Sequence, residues 1–284
     1  MILTKSTPEV LQVKSLEAPL TEHCNLKCAG CNQASPHMEE KSLAVKELAR
    51  DLSVLTKVMK TNEFKVLGGE PLQHPELDQI LEVIRKSEIT RKIVLVTNGM
   101  LLHRTDAHIW KSIDKIWLSI YPNVRLKWAL SEIEAQCKKH DVQLELHPSD
   151  QFRRAVINQE ITDSDLVQKI YDNCKSVHAW KCYTVVNGRF FKCSKATLIK
   201  KRLAITGTAY KEVPRDGVEL HPHWFLRQRL ERYLASKTPL GACRYCLGTS
   251  GPSFNHHQMK RAELKSELLR DETEAIEFTR SSIG

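Results

Sequence analysis

Eight of the nine cysteines in this 284-residue chain fall into groups: Cys24, Cys28 and Cys31 near the start, Cys174, Cys182 and Cys193 past the middle, and Cys243 with Cys246 late, leaving Cys137 alone. The opening residues lack the charged-then-apolar pattern of a secretion signal, so the expected setting is the cytoplasm, where thiols stay reduced and disulfides explain little. Metal explains more. Cys24-x3-Cys28-x2-Cys31 offers three thiolates within eight residues, enough for three corners of a cubane cluster. Ordinary electron carriers ligate all four corners with cysteine, so a triplet leaves one iron open to something else. A structural zinc site is the alternative and would draw on His23 or His37 as a fourth ligand.

Elements that would position these sulfurs can be read from the hydrophobic rhythm. Residues 13–20 predict a strand running into the first cysteine loop, followed by a helix over about 41–60 with Leu43, Val45, Leu48, Leu52, Leu55 and Val58 at helical spacing. A short strand ends in Gly68-Gly69-Glu70-Pro71, and a helical pattern opens at Pro75. Strands over 92–99, 115–122 and 142–148 then alternate with helices around 105–112 and 126–139. That rhythm predicts an α/β fold with a parallel sheet and crossover helices. QFRRAV is a candidate last strand, residues 163–173 a helix, and the runs on either side of Asn187-Gly188 a hairpin. The charged tail from 258 reads as a surface helix or a loosely ordered end.

Composition is that of an ordinary folded protein: 41% hydrophobic, 27% charged, net charge +9. No run approaches the ~18 apolar residues of a membrane span, so no membrane partner is expected. The densest basic run, Lys200-Lys201-Arg202, reads as a solvated face or a pocket for an anionic substrate. Aromatic residues are not interleaved with it, which argues against nucleic acid as a partner.

The x3/x2 cysteine triplet at the end of a first strand, in a chain that continues βαβα, resembles the radical S-adenosylmethionine (SAM) superfamily. Gly68-Gly69-Glu70-Pro71 is similar to the motif that meets the methionyl ammonium of SAM there, and Ser119 to the ribose-contacting position. The resemblance implies a partial (β/α)5-6 TIM-like barrel holding a [4Fe-4S] cluster on Cys24, Cys28 and Cys31, with SAM on its unique iron. Gly68, Gly69, Glu70, Asn98, Ser119, Tyr121 and His147 follow as cofactor-side candidates, since carboxyl ends of parallel strands face the ligand. For Asn98 and His147, capping a strand end or turn is an equal explanation. The family often has an aromatic residue before the third cysteine; here Gly30 stands there, and that stacking contact is lost.

Cys174, Cys193, Cys243 and Cys246 resemble the ligand set of a SPASM domain in its shortened twitch form, which implies one auxiliary [4Fe-4S] cluster in a small C-terminal hairpin/helix domain. Cys182 competes with Cys174 for that role; otherwise it packs in the hairpin or stands near substrate as a catalytic hydrogen donor. Zinc on the same four cysteines remains open at this level, and Cys137 reads as a core residue. The implied division is 1–160 for the barrel, 161–257 for the auxiliary domain and 258–284 for the tail.

The activity implied is reductive cleavage of SAM to a 5′-deoxyadenosyl radical that abstracts hydrogen from a small polar, sugar- or cyclitol-like metabolite, served by a flavodoxin- or ferredoxin-like reductant. Two-electron oxidation of an alcohol is the first expectation, because an alcohol oxidase of aminocyclitol biosynthesis is similar in length and cysteine layout. Epimerisation, peptide maturation and non-catalytic electron transfer are the alternatives. About twenty residues precede Cys24, fewer than a peptide-recognition domain needs, which lowers the peptide reading.

Overall fold

The computed structural model describes residues 10–284. Five parallel strands alternate with helices in chain order: β1 (Leu11–Thr21), α1 (Val45–Leu55), β2 (Met59–Gly68), α2 (Leu77–Ser87), β3 (Ile93–Thr97), α3 (Ala107–Ser112), β4 (Lys115–Ile120), α4 (Leu130–Lys139) and β5 (Gln143–Pro148). After the short β6 (Gln151–Arg153) come α5 (Ser164–Asp172), α6 (Lys175–His178), the hairpin β7 (Tyr183–Val186) and β8 (Arg189–Phe191), α7 (Ile199–Ile205), β9 (Val218–Glu219) and α8 (Leu226–Ala235). Strand β10 (Ser253–Asn255) precedes two terminal helices, α9 (Arg261–Leu268) and α10 (Thr273–Ile283). Among the described residues no helix is long and apolar enough to cross a membrane.

The main sheet runs β5-β4-β3-β2-β1-β7-β8-β9, parallel from β5 through β7, with its two end strands unpaired to each other. The parallel sheet is the one the strand–helix rhythm predicts, and its form is the partial α/β barrel that the resemblance implies. One face of the strands is apolar. Leu16, Ala18, Leu20, Phe64, Val66, Leu95, Ile116 and Leu118 are fully buried with Leu48, Leu52, Ile80, Leu81 and Ile84 of α1 and α2. Fully burying side chains of this size stabilises the fold by roughly 1.5–3 kcal/mol each. Cys137 lies in the same core, as expected.

The opposite face is unusual for parallel strands, which normally read as continuous apolar runs because both faces are covered. Here it carries Glu17, Lys65, Trp117, Glu145 and Thr184, with Glu17 in register beside both Lys65 and Thr184. A polar inner face is not the continuous apolar surface of a second core.

Three expectations change at this level. QFRRAV does not extend the barrel: only Gln151–Arg153 is strand, and it pairs antiparallel with β10 in a separate two-stranded sheet. The Asn187-Gly188 hairpin forms, yet β7 lies parallel to β1 and continues the main sheet. Its turn is pinned by buried Asp51 of α1, which accepts the Gly188 N–H at 2.8 Å. Finally, the basic run is not one surface: Lys200 is exposed, Lys201 pairs with Glu22, and Arg202 is buried with its Nε donating to Asn158 at 3.1 Å.

Candidate functional site

The first strand ends at Thr21 and delivers the cysteine loop to the carboxyl-end mouth of the sheet. There Cys24, Cys28 and Cys31 line one cleft together with Gly68, Gly69, Asn98, Ser119 and Tyr121, as well as Gln33, Thr97 and Phe152. The cleft has a volume of about 180 Å3. These residues come from segments far apart in sequence; the carboxyl ends of β2, β3 and β4 bring them together. Burial pushes the Cys24 and Cys28 thiols up to about 12, and Cys31 upward as well. Sulfurs so placed are protonated until a cationic partner takes the place of the proton.

Gly68 and Gly69 also allow a close approach of two backbones. Gly68 has φ +139°, and a Cβ there would stand 2.5 Å from the Thr21 carbonyl oxygen and 2.8 Å from the Thr21 nitrogen. A Cβ on Gly69 would overlap the His23 carbonyl. The pair lets β2 pass the start of the cysteine loop backbone to backbone, tied by Gly69 N–H to Thr21 O (2.8 Å) and Glu70 N–H to His23 O (3.0 Å). Glycine is the only residue that tolerates both conditions.

Glu70, the expected partner of a ligand ammonium, is held by groups of the chain itself. It is fully buried, lies outside the cleft lining, and accepts from the Thr97 hydroxyl (2.6 Å), the Asn98 N–H (3.0 Å) and the Leu72 N–H (3.1 Å). Burial pushes its carboxyl up to about 7, against the lowering effect of those hydrogen bonds. Its work is to join the ends of β2 and β3. Asn98 does line the cleft, and it also holds the loop: its Nδ2 donates to Asn25 Oδ1 at 2.7 Å and lies 3.7 Å from Cys24 Sγ.

His147 is not among the residues that line the cysteine cleft: it stacks on Trp117 with ring centroids 3.6 Å apart, its Nε2 lies 2.6 Å from Glu145, and it sits on the inner face of the sheet in register with Ser119. Around it the same face carries Lys65 Nζ 4.7 Å from the Trp117 ring, the Lys115–Glu145 pair, and Thr184 Oγ1 donating to Glu17 at 3.2 Å. Glu17 is buried, and burial raises its carboxyl while Lys65 opposes the shift.

Cys174, Cys193, Cys243 and Cys246 line a single small cavity of about 20 Å3, walled by Ile170, Val177, Ile199 and Leu240. The Gly248 N–H donates to Cys246 Sγ at 3.3 Å. Cys182 is not part of this lining. It precedes β7, within electrostatic reach of Glu17, Lys65 and Lys195, and burial pushes its thiol up to about 12. Among the described residues no three His, Cys, Asp or Glu side chains converge at the spacing of a single ion; the sulfurs ring two cavities instead.

Sequence reasoning missed the C-terminal segment. Residues 254–267, read as the end of one region and a charged tail, return to the first cysteine loop. The Phe254 ring occupies the space a Gly30 side chain would enter, so an aromatic group stands at this point after all, contributed from elsewhere in the chain. The Gly30 N–H donates to Glu267 Oε1 at 2.6 Å, and Glu267 also pairs with His37. Ala29 N–H donates to His257 O and Met259 N–H to Lys27 O. Signals of this contact are not local; the one hint was Gly30 itself, a missing side chain that something had to cover.

Comparison with known proteins places residues 18–123 on the model of the radical SAM superfamily. The chain is similar to a GTP 3′,8-cyclase of Chlorobaculum tepidum (28% identity, 36% of this chain and 31% of that one). It is likewise similar to a GTP 3′,8-cyclase of Haemophilus ducreyi (32% identity, 36% and 30%). The chain thus spans about a third of the length of these curated relatives. Among solved structures it is similar to BtrN in complex with AdoMet and 2-DOIA (16% identity, 85% of this chain and 95% of that one, TM-score 0.45). Streptococcus suis SuiB bound to S-adenosylmethionine also matches (14% identity, 65% and 60%, TM-score 0.36).

Proposed function

We propose that this chain, which carries a radical SAM superfamily domain over residues 18–123, acts on a small polar, sugar- or cyclitol-like metabolite, oxidising an alcohol by two electrons. Cys24, Cys28 and Cys31 would hold the [4Fe-4S] cluster, and Gly68, Gly69, Asn98, Ser119 and Tyr121 would line the SAM side of the cleft. When bound, that cofactor pair supplies hydrogen abstraction from an unactivated C–H bond, and an auxiliary cluster on Cys174, Cys193, Cys243 and Cys246 would supply an acceptor for one electron. The observation that carries the reading is the convergence of three sulfurs and four strand ends on one cleft.

The substrate class is read from the inner face of the sheet. Glu17, Thr184 and Lys65 present a buried carboxylate, a hydroxyl and a cation within one register level, and Trp117 adds an apolar plate. Such a set binds and orients hydroxyl groups while the surrounding barrel excludes water. The GTP 3′,8-cyclase relatives act on a nucleotide by name, but only a third of each is matched. A flavodoxin- or ferredoxin-like protein is the reductant that fits this chemistry.

Epimerisation is the second reading, favoured by one observation: Cys182 lies outside the auxiliary cavity, within electrostatic reach of Glu17, as a thiol that keeps its hydrogen at neutral pH. The test is anaerobic reconstitution followed by metal and product analysis. About eight irons and eight sulfides are expected for two four-iron clusters, with 5′-deoxyadenosine formed from SAM and lost in the Cys24→Ala, Cys28→Ala and Cys31→Ala variants. Zinc in place of iron, or cleavage persisting at the wild-type rate in those variants, would overturn the assignment.

A further inference from the structure

The C-terminal segment does more than cover the first cysteine loop. Cys28 and Gln258 face each other across an isolated antiparallel bridge. The Gln258 side chain has all its groups engaged: Oε1 accepts the Lys27 N–H at 2.7 Å, while Nε2 lies 3.0 Å from Cys28 Sγ and 3.0 Å from His256 Nε2. The Lys27 N–H can only donate, so the amide oxygen must face it, and this fixes which end of the amide meets the sulfur. The amide nitrogen then faces Cys28 Sγ and His256 Nε2, and the same imidazole nitrogen stands 3.2 Å from Cys28 Sγ. Its ring is held by stacking on Tyr121 (centroids 4.8 Å apart) and by Phe152 at 4.9 Å. Cys28 and His256 are both buried, so water does not compete for the sulfur.

We propose that Gln258 is a positioning residue for the first cluster, its amide donating to Cys28 Sγ and raising the reduction potential of the iron held there, with His256 fixing the amide. An N–H donor to a ligating sulfur stabilises the extra negative charge of the reduced state, and hydrogen bonds to the sulfurs are among the levers that set such potentials. The proposal rests on the cluster assignment above. It concerns residues supplied from 230 positions downstream of Cys28, outside the matched superfamily stretch.

The experiment compares the full chain with Gln258→Met, similar in length and lacking the donor, and Gln258→Glu, which keeps an oxygen for the Lys27 N–H but replaces the donor with charge. Each is reconstituted anaerobically, assayed for iron and sulfide, and titrated by electron paramagnetic resonance at poised potentials. One midpoint potential should shift downward in Met and further in Glu, any second potential staying at its wild-type value, with iron content unchanged. Unchanged or raised potentials at full iron content overturn the proposal and leave the cluster assignment standing. Should the Met variant lose iron, the Glu variant decides: a lowered potential supports the donor role, and a wild-type potential refutes it. A wild-type chain without iron–sulfur would remove the cluster assignment and this proposal together.

Discussion

Replacing Gly68 by alanine tests whether the glycine pair is required by chain packing. The added Cβ would stand 2.5 Å from the Thr21 carbonyl oxygen, 2.8 Å from the Thr21 nitrogen and 3.1 Å from the Leu20 nitrogen, all backbone atoms of β1. Ordinary contact begins near 3.4 Å, so β1 and β2 must separate by nearly an ångström at the point where the cysteine loop starts. Overpacking of this kind costs about 1–3 kcal/mol, and holding alanine at φ +139° adds about 1–3 kcal/mol of backbone strain. A total of about 2–6 kcal/mol lowers the melting temperature of a chain this size by roughly 3–10 °C. Gly207→Ala is the control: it has φ +72° but no neighbour within 4 Å, and should cost only the strain. Thermal melts and iron content of the two variants give the comparison. Gly68→Ala should be clearly the less stable and should lose iron through the displaced loop. Equal melting temperatures with full iron in both would refute the packing argument.

Three further outcomes follow from the geometry. Glu70 carries a folded-state carboxyl raised from 4.5 to about 7 by burial, so the folded chain holds a proton that the unfolded chain has released between those values. Its stabilising contribution is therefore whole below about pH 4.5 and falls by about 3 kcal/mol as pH rises to 7. Urea unfolding of wild type and Glu70→Gln across that range should converge on different slopes, the variant's being flatter; parallel curves would contradict the burial. Asp51→Ala leaves the Gly188 N–H without its acceptor, which should cost about 1–3 kcal/mol in a denaturant titration, and a loss below about 0.5 kcal/mol would mean the turn stands without it. Replacing Cys243 and Cys246 together by serine should remove about four irons per chain, whereas Cys182→Ser should leave the iron unchanged because its sulfur is outside the cavity lining; iron loss in the latter would return Cys182 to the ligand set.

The strand–helix alternation, the cysteine triplet, the hairpin at Asn187-Gly188 and the core position of Cys137 were legible in the residues, because each depends on periodicity or spacing within a few positions. The polar inner face was legible too, in the alternation of SLEAPLT, NEFKVLG and KIWLSI, although alternation in parallel strands is easily passed over as mere surface. Direction was not. Glu70 could turn toward a ligand or into the protein with the same local sequence, and only the joined ends of β2 and β3, which supply three donors, decide that it turns inward.

Partners far apart along the chain were decided by tertiary structure alone. Cys174 and Cys182 differ by eight positions, and either can be reached by the late cysteine pair until α5 and β7 are packed; then Cys174 lines the cavity and Cys182 does not. The same holds for Phe254, Gln258 and Glu267 against Gly30 and Cys28. Local propensity specifies that the tail is helical and charged, but which loop it closes on depends on where the whole sheet places both ends, and no spacing rule spans 230 residues.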